Sequence, residues 1–212
     1  MSAEVIAMLH KKGMEQLIIW INGAFGSGKT TIAYELNRRI PNSFVYDPEN
    51  VGYFIRKNIP KEILKDDFQD HVIWREINHS ILQTINTEFP GIIIVPMTIV
   101  NPQYFNEIIN NLRSNGFEVK HFTLLANREI LLKRLRSRGD NKNSWPAIQI
   151  ERCISSLSRD MFRIHINTDS LTLEEIIERI ARESNIELQP DNRGIIKKKI
   201  DRFMTQIKQI RI

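Results

Sequence analysis

The segment that constrains this chain most is Gly23-Ala24-Phe25-Gly26-Ser27-Gly28-Lys29-Thr30, which fits the pattern G-x-x-x-x-G-K-T. Leu17-Ile18-Ile19-Trp20-Ile21 precedes it, a continuous apolar run of the kind that forms a strand buried on both faces. After it, Ile32, Ala33, Leu36 and Ile40 recur at helical spacing until Pro41. Strand, glycine-rich turn and helix together make a cradle for phosphate groups. The glycines let backbone N–H groups face an anion, and the helix adds its positive N-terminal end. The expected ligand is ATP with Mg²⁺, bound by residues Gly23 to Thr30 and by Thr31 in the first helical turn. Lys29 is expected to reach the β- and γ-phosphates and the Thr30 hydroxyl to ligate the metal.

The rest of the chain continues the alternation of strand and helix. Strands are expected at Ser43 to Tyr46, Ile92 to Val95, Val119 to Leu125 and Arg163 to Asn167. Ile92 to Val95 is the most apolar and is expected at the centre of the sheet. Helices are expected around Ile63 and Leu64, over Ile73 to Ile85, from Asn101-Pro102 to Asn115-Gly116, around Ile130 to Leu135, from Trp145 to Leu157 and around Leu173 to Ile180. This pattern predicts a three-layer α/β/α domain with a five-stranded parallel sheet, a P-loop nucleotide-binding fold. The domain is assigned to residues 17–192, with an N-terminal extension over 1–16 and a basic amphipathic helix over 193–212.

Composition narrows the function classes. Between Arg193 and Ile212 stand seven basic residues and one acid, a charge of +6. The whole chain carries +5, so the other 192 residues sum to −1. A neutral body argues against a nucleic-acid-binding core and leaves the tail to meet an anionic surface. The single cysteine, Cys153, cannot form an internal disulfide and fits a reducing cytoplasm. The five histidines show no metal-ligand spacing with Cys153 or with one another. The N-terminal residues do not read as a signal peptide, because Glu4 interrupts them and Lys11-Lys12 follow the apolar stretch.

Ligands of a parallel sheet bind at the carboxyl ends of its strands. Asp47 follows the second strand, where a carboxylate can accept a proton from a substrate hydroxyl or cap the next helix. Arg134 and Arg138, four apart on one helical face, head a polar stretch that runs to Ser144 and contains Gly139. One guanidinium can stack on a base and the other neutralise a transferred phosphate, with the polar stretch as a lid. Such a charge run can equally be a solvated face. The third strand ends Val95-Pro96-Met97-Thr98, with no acid where many such enzymes place an aspartate for the metal. Asp47, Asp66 and Asp67 are the carboxylates that could replace it.

From Leu17 to the C-terminus the chain resembles the bacterial tunicamycin-resistance proteins, within the P-loop kinase group that includes shikimate, gluconate and adenylate kinases. The stretch Ile18 to Thr30 carries the clearest match. Val45-Tyr46-Asp47-Pro48-Glu49, Lys65 to Gln69, Ile94 to Val100, Leu131 to Arg136 and Lys142 to Trp145 also fit, and the string around Pro96-Met97-Thr98 is the most specific. The resemblance implies an ATP-binding protein that confers resistance to tunicamycin, a nucleoside antibiotic resembling a UDP-sugar. It implies a phosphotransferase in which Lys29, Asp47 and Arg138 are catalytic, Arg134 lies against adenine and Arg138 against the phosphates. An ATP-dependent protein that sequesters the drug without modifying it is the alternative.

In the tail, Ile196, Ile200, Phe203, Ile207 and Ile210 step by four, three, four and three, an apolar stripe on a helix rich in Lys and Arg. Such a helix can pack its stripe on its own domain or a partner, or lie on an anionic membrane surface. The resemblance favours the membrane, which would place the protein at the inner face.

Overall fold

The structure, a computed structural model, describes residues 16–209 and side chains as far as Thr205. The N-terminal extension before Gln16 and Ile210 of the stripe lie outside the described residues. Five parallel strands form one sheet in the order β2-β3-β1-β4-β5. They are β1 (Leu17–Gly23), β2 (Ser43–Val45), β3 (Ile92–Pro96), β4 (Glu118–Leu125) and β5 (His165–Asn167). β1 takes the central place expected for β3, which sits between β1 and β2. An apolar run reports burial on both faces and says nothing of rank within the sheet, and both strands meet that condition.

The helices are α1 (Lys29–Arg39), α2 (Glu49–Asn58), α3 (Val72–Glu88), α4 (residues 102–114, with a π-helical turn at Asn106–Asn110), α5 (Arg128–Arg136), α6 (Trp145–Leu157), α7 (Leu173–Glu183) and α8 (Ile195–Gln209). The helix expected around Ile63 and Leu64 is a single 3₁₀ turn, Lys61–Ile63. Pro60 stands just before it and none of its residues is buried, so no apolar face extends it.

Side chains of β1 alternate between two cores. Ile18 and Trp20 join Trp74, Leu82, Phe105 and Ile109 on one face. Leu17, Ile19 and Ile21 join Ile32, Leu36, Ile177 and Ile180 on the other. Both layers of helix are therefore anchored to the strand that leads into the glycine-rich loop. Trp20 is fully buried and its Nε1–H donates to the Met97 carbonyl at 3.2 Å, tying β1 to the segment after β3.

The tail helix α8 docks by its polar face. Glu35 of α1 is 1% exposed and pairs with Arg193 at 2.6 Å and Arg202 at 3.6 Å. Arg193 also binds Asp191 and Asp201, while Lys198 and Arg202 reach Glu174. Ile196, Ile200 and Phe203 of the stripe are 76%, 53% and 61% exposed, so the stripe does not pack on this domain. A buried carboxylate without partners is costly, and Glu35 draws the cationic face inward. The stripe shows in the sequence, but which face turns in depends on the surface it meets.

Candidate functional site

The loop Gly23 to Gly28 links β1 to α1 at the carboxyl edge of the sheet. Gly23 has φ 151°, and a Cβ there would lie 2.5 Å from Ser27 Oγ and 3.0 Å from the Leu124 carbonyl oxygen. No other residue fits. Gly28 caps α1 in the left-handed region, at φ 96°. Asn22, fully buried, locks the entry to the loop. Its side-chain oxygen accepts from the N–H groups of Gly23 and Ile99, and its Nδ2 donates to the Ile99 carbonyl. Nδ2 also contacts His121 Nε2 at 3.2 Å, which leaves Nδ1–H of that ring to donate to the Arg163 carbonyl. Burial pushes the His121 pKa down to about 4 and keeps the ring neutral.

Lys29 is 9% exposed, and its ammonium donates to the carbonyls of Gly23 and Ala24 at 3.0 and 3.2 Å. Burial lowers its pKa to about 8, against the opposing pull of Glu49 and, more weakly, of Cys153 and Asp47. Ser27 Oγ is buried with no hydrogen-bond partner among the described residues. A buried hydroxyl without a partner beside a loop lysine and a helix N-terminus fits a bound phosphate.

Thr98 occupies the end of β3 where an acid was missed. Its hydroxyl donates to the Gly23 carbonyl at 2.7 Å, and its own carbonyl accepts from Gln69 Nε2 at 2.9 Å. The position braces the loop. Among the described residues no group of three or more His, Cys, Asp or Glu is arranged to hold a metal.

Two cavities meet at this loop. The first, about 250 Å³, is lined by Gly26, Ser27, Gly28, Thr31, Arg134 and Arg138, among others. Arg134 is fixed there by Thr168, donating to its hydroxyl and carbonyl at 3.2 and 3.3 Å. Both arginines line this cavity, but not from one helical face as expected: α5 ends at Arg136, and Arg138 reaches the loop from the turn that follows it. Arg136 and Lys142, on the same polar stretch, are exposed and do not line either cavity.

The second cavity, about 380 Å³, lies on the other side of Phe25. Phe25, expected among the nucleotide-binding residues, turns its ring to this side and meets Trp145 edge-on at 5.1 Å. Trp145 is 41% exposed and forms a wall. Tyr53 and Phe68 form the facing wall, with ring centroids 6.4 Å apart. Gly52 makes room for it, since a Cβ there would stand 2.5 Å from the Phe68 ring. Glu49, Arg56, Asp66, Asp67, Gln69 and Thr98 supply the polar lining.

Asp47 does not line this cavity. Its Oδ1 accepts from the Glu49 N–H at 3.0 Å, the capping geometry that was the alternative to an acceptor-binding role, while its charge acts on Lys29. The turn is held from α3, where Trp74 Nε1–H donates to the Pro48 carbonyl at 3.1 Å. Glu49 is the residue that sequence reasoning missed. Its signal was the Asp-x-Glu spacing after β2, which puts a second carboxylate one helical step into the site.

A sequence model of an AAA domain family matches residues 18–159. The structure of the Deinococcus radiodurans tunicamycin resistance protein superposes with a TM-score of 0.70 at 34% identity, over 82% of this chain and 99% of that one. The chain belongs to the tunicamycin-resistance family. Members of this family share their fold with P-loop kinases. A gluconokinase from Sinorhizobium meliloti 1021 matches at TM-score 0.57 and 16% identity, over 79% of this chain and 93% of that one. Shikimate kinase from Bacteroides thetaiotaomicron matches at 0.50 and 17%, over 80% and 99%. No curated protein matches the sequence.

Proposed function

We propose that this protein transfers the γ-phosphoryl group of ATP to a hydroxyl of tunicamycin or of a related nucleoside or sugar compound. One observation carries the reading. Adjacent loop residues face different cavities, Phe25 one and Gly26 to Gly28 the other. A loop so placed presents the end of a bound triphosphate to a second ligand, the geometry that phosphoryl transfer needs. The drug-resistance family and the kinase fold support it.

In this reading Gly23 to Thr31 hold the phosphates, with Lys29 at the transferred group and Arg134 against the base. Arg138 neutralises charge on the phosphates. Mg²⁺, when bound through Thr30, offsets charge on the phosphate oxygens. Glu49 meets the acceptor hydroxyl from the cavity wall, and Asp47 keeps Glu49 in place through its N–H. The acceptor oxygen attacks the γ-phosphorus, the bond to the β–γ bridging oxygen breaks, and the hydroxyl proton passes to the carboxylate. The test is to incubate protein, Mg-ATP and tunicamycin and look for the mass of one added phosphoryl group. Drug that stays unmodified although both ligands bind would overturn the transferase reading.

One observation favours the alternative, ATP-dependent sequestration. Thr98 stands where an acid would help hold the metal, and its hydroxyl is committed to the loop. The same mass measurement separates the two.

For the tail we propose attachment to a membrane surface through the outward stripe of α8. Among the described residues no helix is long and apolar enough to cross a membrane. A helix with an exposed apolar face and flanking lysines lies in the interfacial plane. Deleting residues 193–212 should abolish co-sedimentation with vesicles, and unchanged binding would sink the idea.

A further inference from the structure

Resting on the acceptor reading of the second cavity, we infer that its acceptor is an uncharged or cationic ring compound, and that carboxylated or phosphorylated acceptors are excluded. The lining contains three carboxylates, Glu49, Asp66 and Asp67, and one cation, Arg56.

That cation is partly engaged by the protein and is outnumbered by the carboxylates. One Arg56 nitrogen donates to the Asp66 carbonyl oxygen at 2.7 Å, and the guanidinium lies 5.7 Å over the Phe68 ring. Arg152 approaches Asp67 at 3.5 Å, so its charge is directed at that carboxylate. Lys29 is held by loop carbonyls and belongs to the phosphate side. Asp67 itself is 7% exposed and accepts from the Gln69 N–H at 3.0 Å. Burial pushes its carboxyl pKa up, so it holds its charge reluctantly and would gain from a donor brought by a ligand.

Walls and floor select differently. The Phe25–Trp145 pair and the Tyr53–Phe68 pair offer apolar faces suited to a planar base or the C–H face of a sugar ring. The carboxylates and Gln69 offer acceptors, which match hydroxyl and N–H groups on a ring edge. An acceptor bearing its own negative charge would meet like charges in the cavity lining, a repulsive device that fixes specificity.

The experiment reads charge first and turnover second. The chain has three tryptophans, and Trp20 and Trp74 are fully buried, so collisional quenching of fluorescence reports Trp145 in the cavity wall. Caesium ion should quench at least about twofold better than iodide after correction for their intrinsic efficiencies. In the combined variant Glu49→Gln, Asp66→Asn, Asp67→Asn the preference should vanish. Equal or stronger quenching by iodide in the native protein overturns the inference, whatever the protein's activity. Matched acceptors then give the second arm with Mg-ATP: uridine against uridine 5′-monophosphate, and glucose against gluconate. Faster phosphorylation of either anionic member also overturns it. Failure of all four to react, together with unmodified tunicamycin, counts against the transferase reading and leaves the charge claim to the quenching result.

Discussion

The two cavities beside the glycine-rich loop are built in opposite ways. The cavity on the Gly26 side draws its central parts from one continuous stretch, Gly26 to Ile32, and adds Arg134 of α5 and Arg138 of the turn after it. The acceptor side collects Phe25, the start of α2, the 3₁₀ turn Phe68–Asp70 with its approach, the end of β3 and the start of α6. The first is a piece of local structure whose geometry follows from strand, glycines and helix. The second exists only once the sheet is assembled. The division means that the second cavity's wall can change without disturbing the loop.

That comparison breaks most sharply at Lys29. Lys29→Met should lower turnover by about 10³-fold, because it removes a buried cation of the glycine-rich loop. Acceptor binding, measured separately by Trp145 fluorescence, should stay within about twofold. If acceptor binding fell as far as turnover, the two cavities would not be separable.

The carboxylates after β2 come next. Glu49→Gln should cost about 10²-fold in turnover with ATP affinity retained. Asp47→Asn should cost less, because its link to the Glu49 N–H survives through the amide oxygen. A larger loss in Asp47→Asn than in Glu49→Gln, read from initial rates at saturating ATP, would return the acceptor-binding role to Asp47.

Gly52→Ala acts on the acceptor side alone. A new Cβ 2.5 Å from the Phe68 ring forces that wall to move, at a cost of about 1–3 kcal/mol. The acceptor KM should rise by about tenfold while the KM for ATP is unchanged. A shift in both would show that the wall supports the loop as well.

How much of this the sequence displayed follows the same division. The strand–loop–helix unit was legible, and so was the missing acid after β3. The end of α5 at Arg136, which leaves Arg138 in a turn, was not legible. The brace that Thr98 makes was not, because a hydroxyl donating to a carbonyl 75 residues away leaves no local pattern. The wall position of Trp145 was not legible for a related reason. Apolar character predicts burial, yet the partner of Trp145 is the Phe25 ring at the cavity, a choice made by the packing of α6 on the loop. The tail was legible only in part. Its periodicity gave a helix, but Glu35, buried on α1, decided which face turned inward.

The smallest expected effect tests whether the two sides communicate. With its pKa near 8, Lys29 is about half neutral at pH 8 in the free protein. A bound triphosphate favours the charged form, so nucleotide binding at pH 8 should take up about half a proton. Uptake should fade below pH 7, where the lysine is already charged, and affinity should weaken as pH rises through 8. Calorimetry in buffers of different ionisation enthalpy measures it. Glu49 is the strongest of the groups that raise the Lys29 pKa. Glu49→Gln should therefore enlarge proton uptake at pH 7.5, and Asp47→Asn should do so less, since Asp47 acts more weakly on the same charge. Equal uptake in all three proteins would mean that the acceptor-side carboxylate does not set the charge at the phosphates. Ordered uptake would make Glu49 the physical link across the loop, acting on both cavities through its charge.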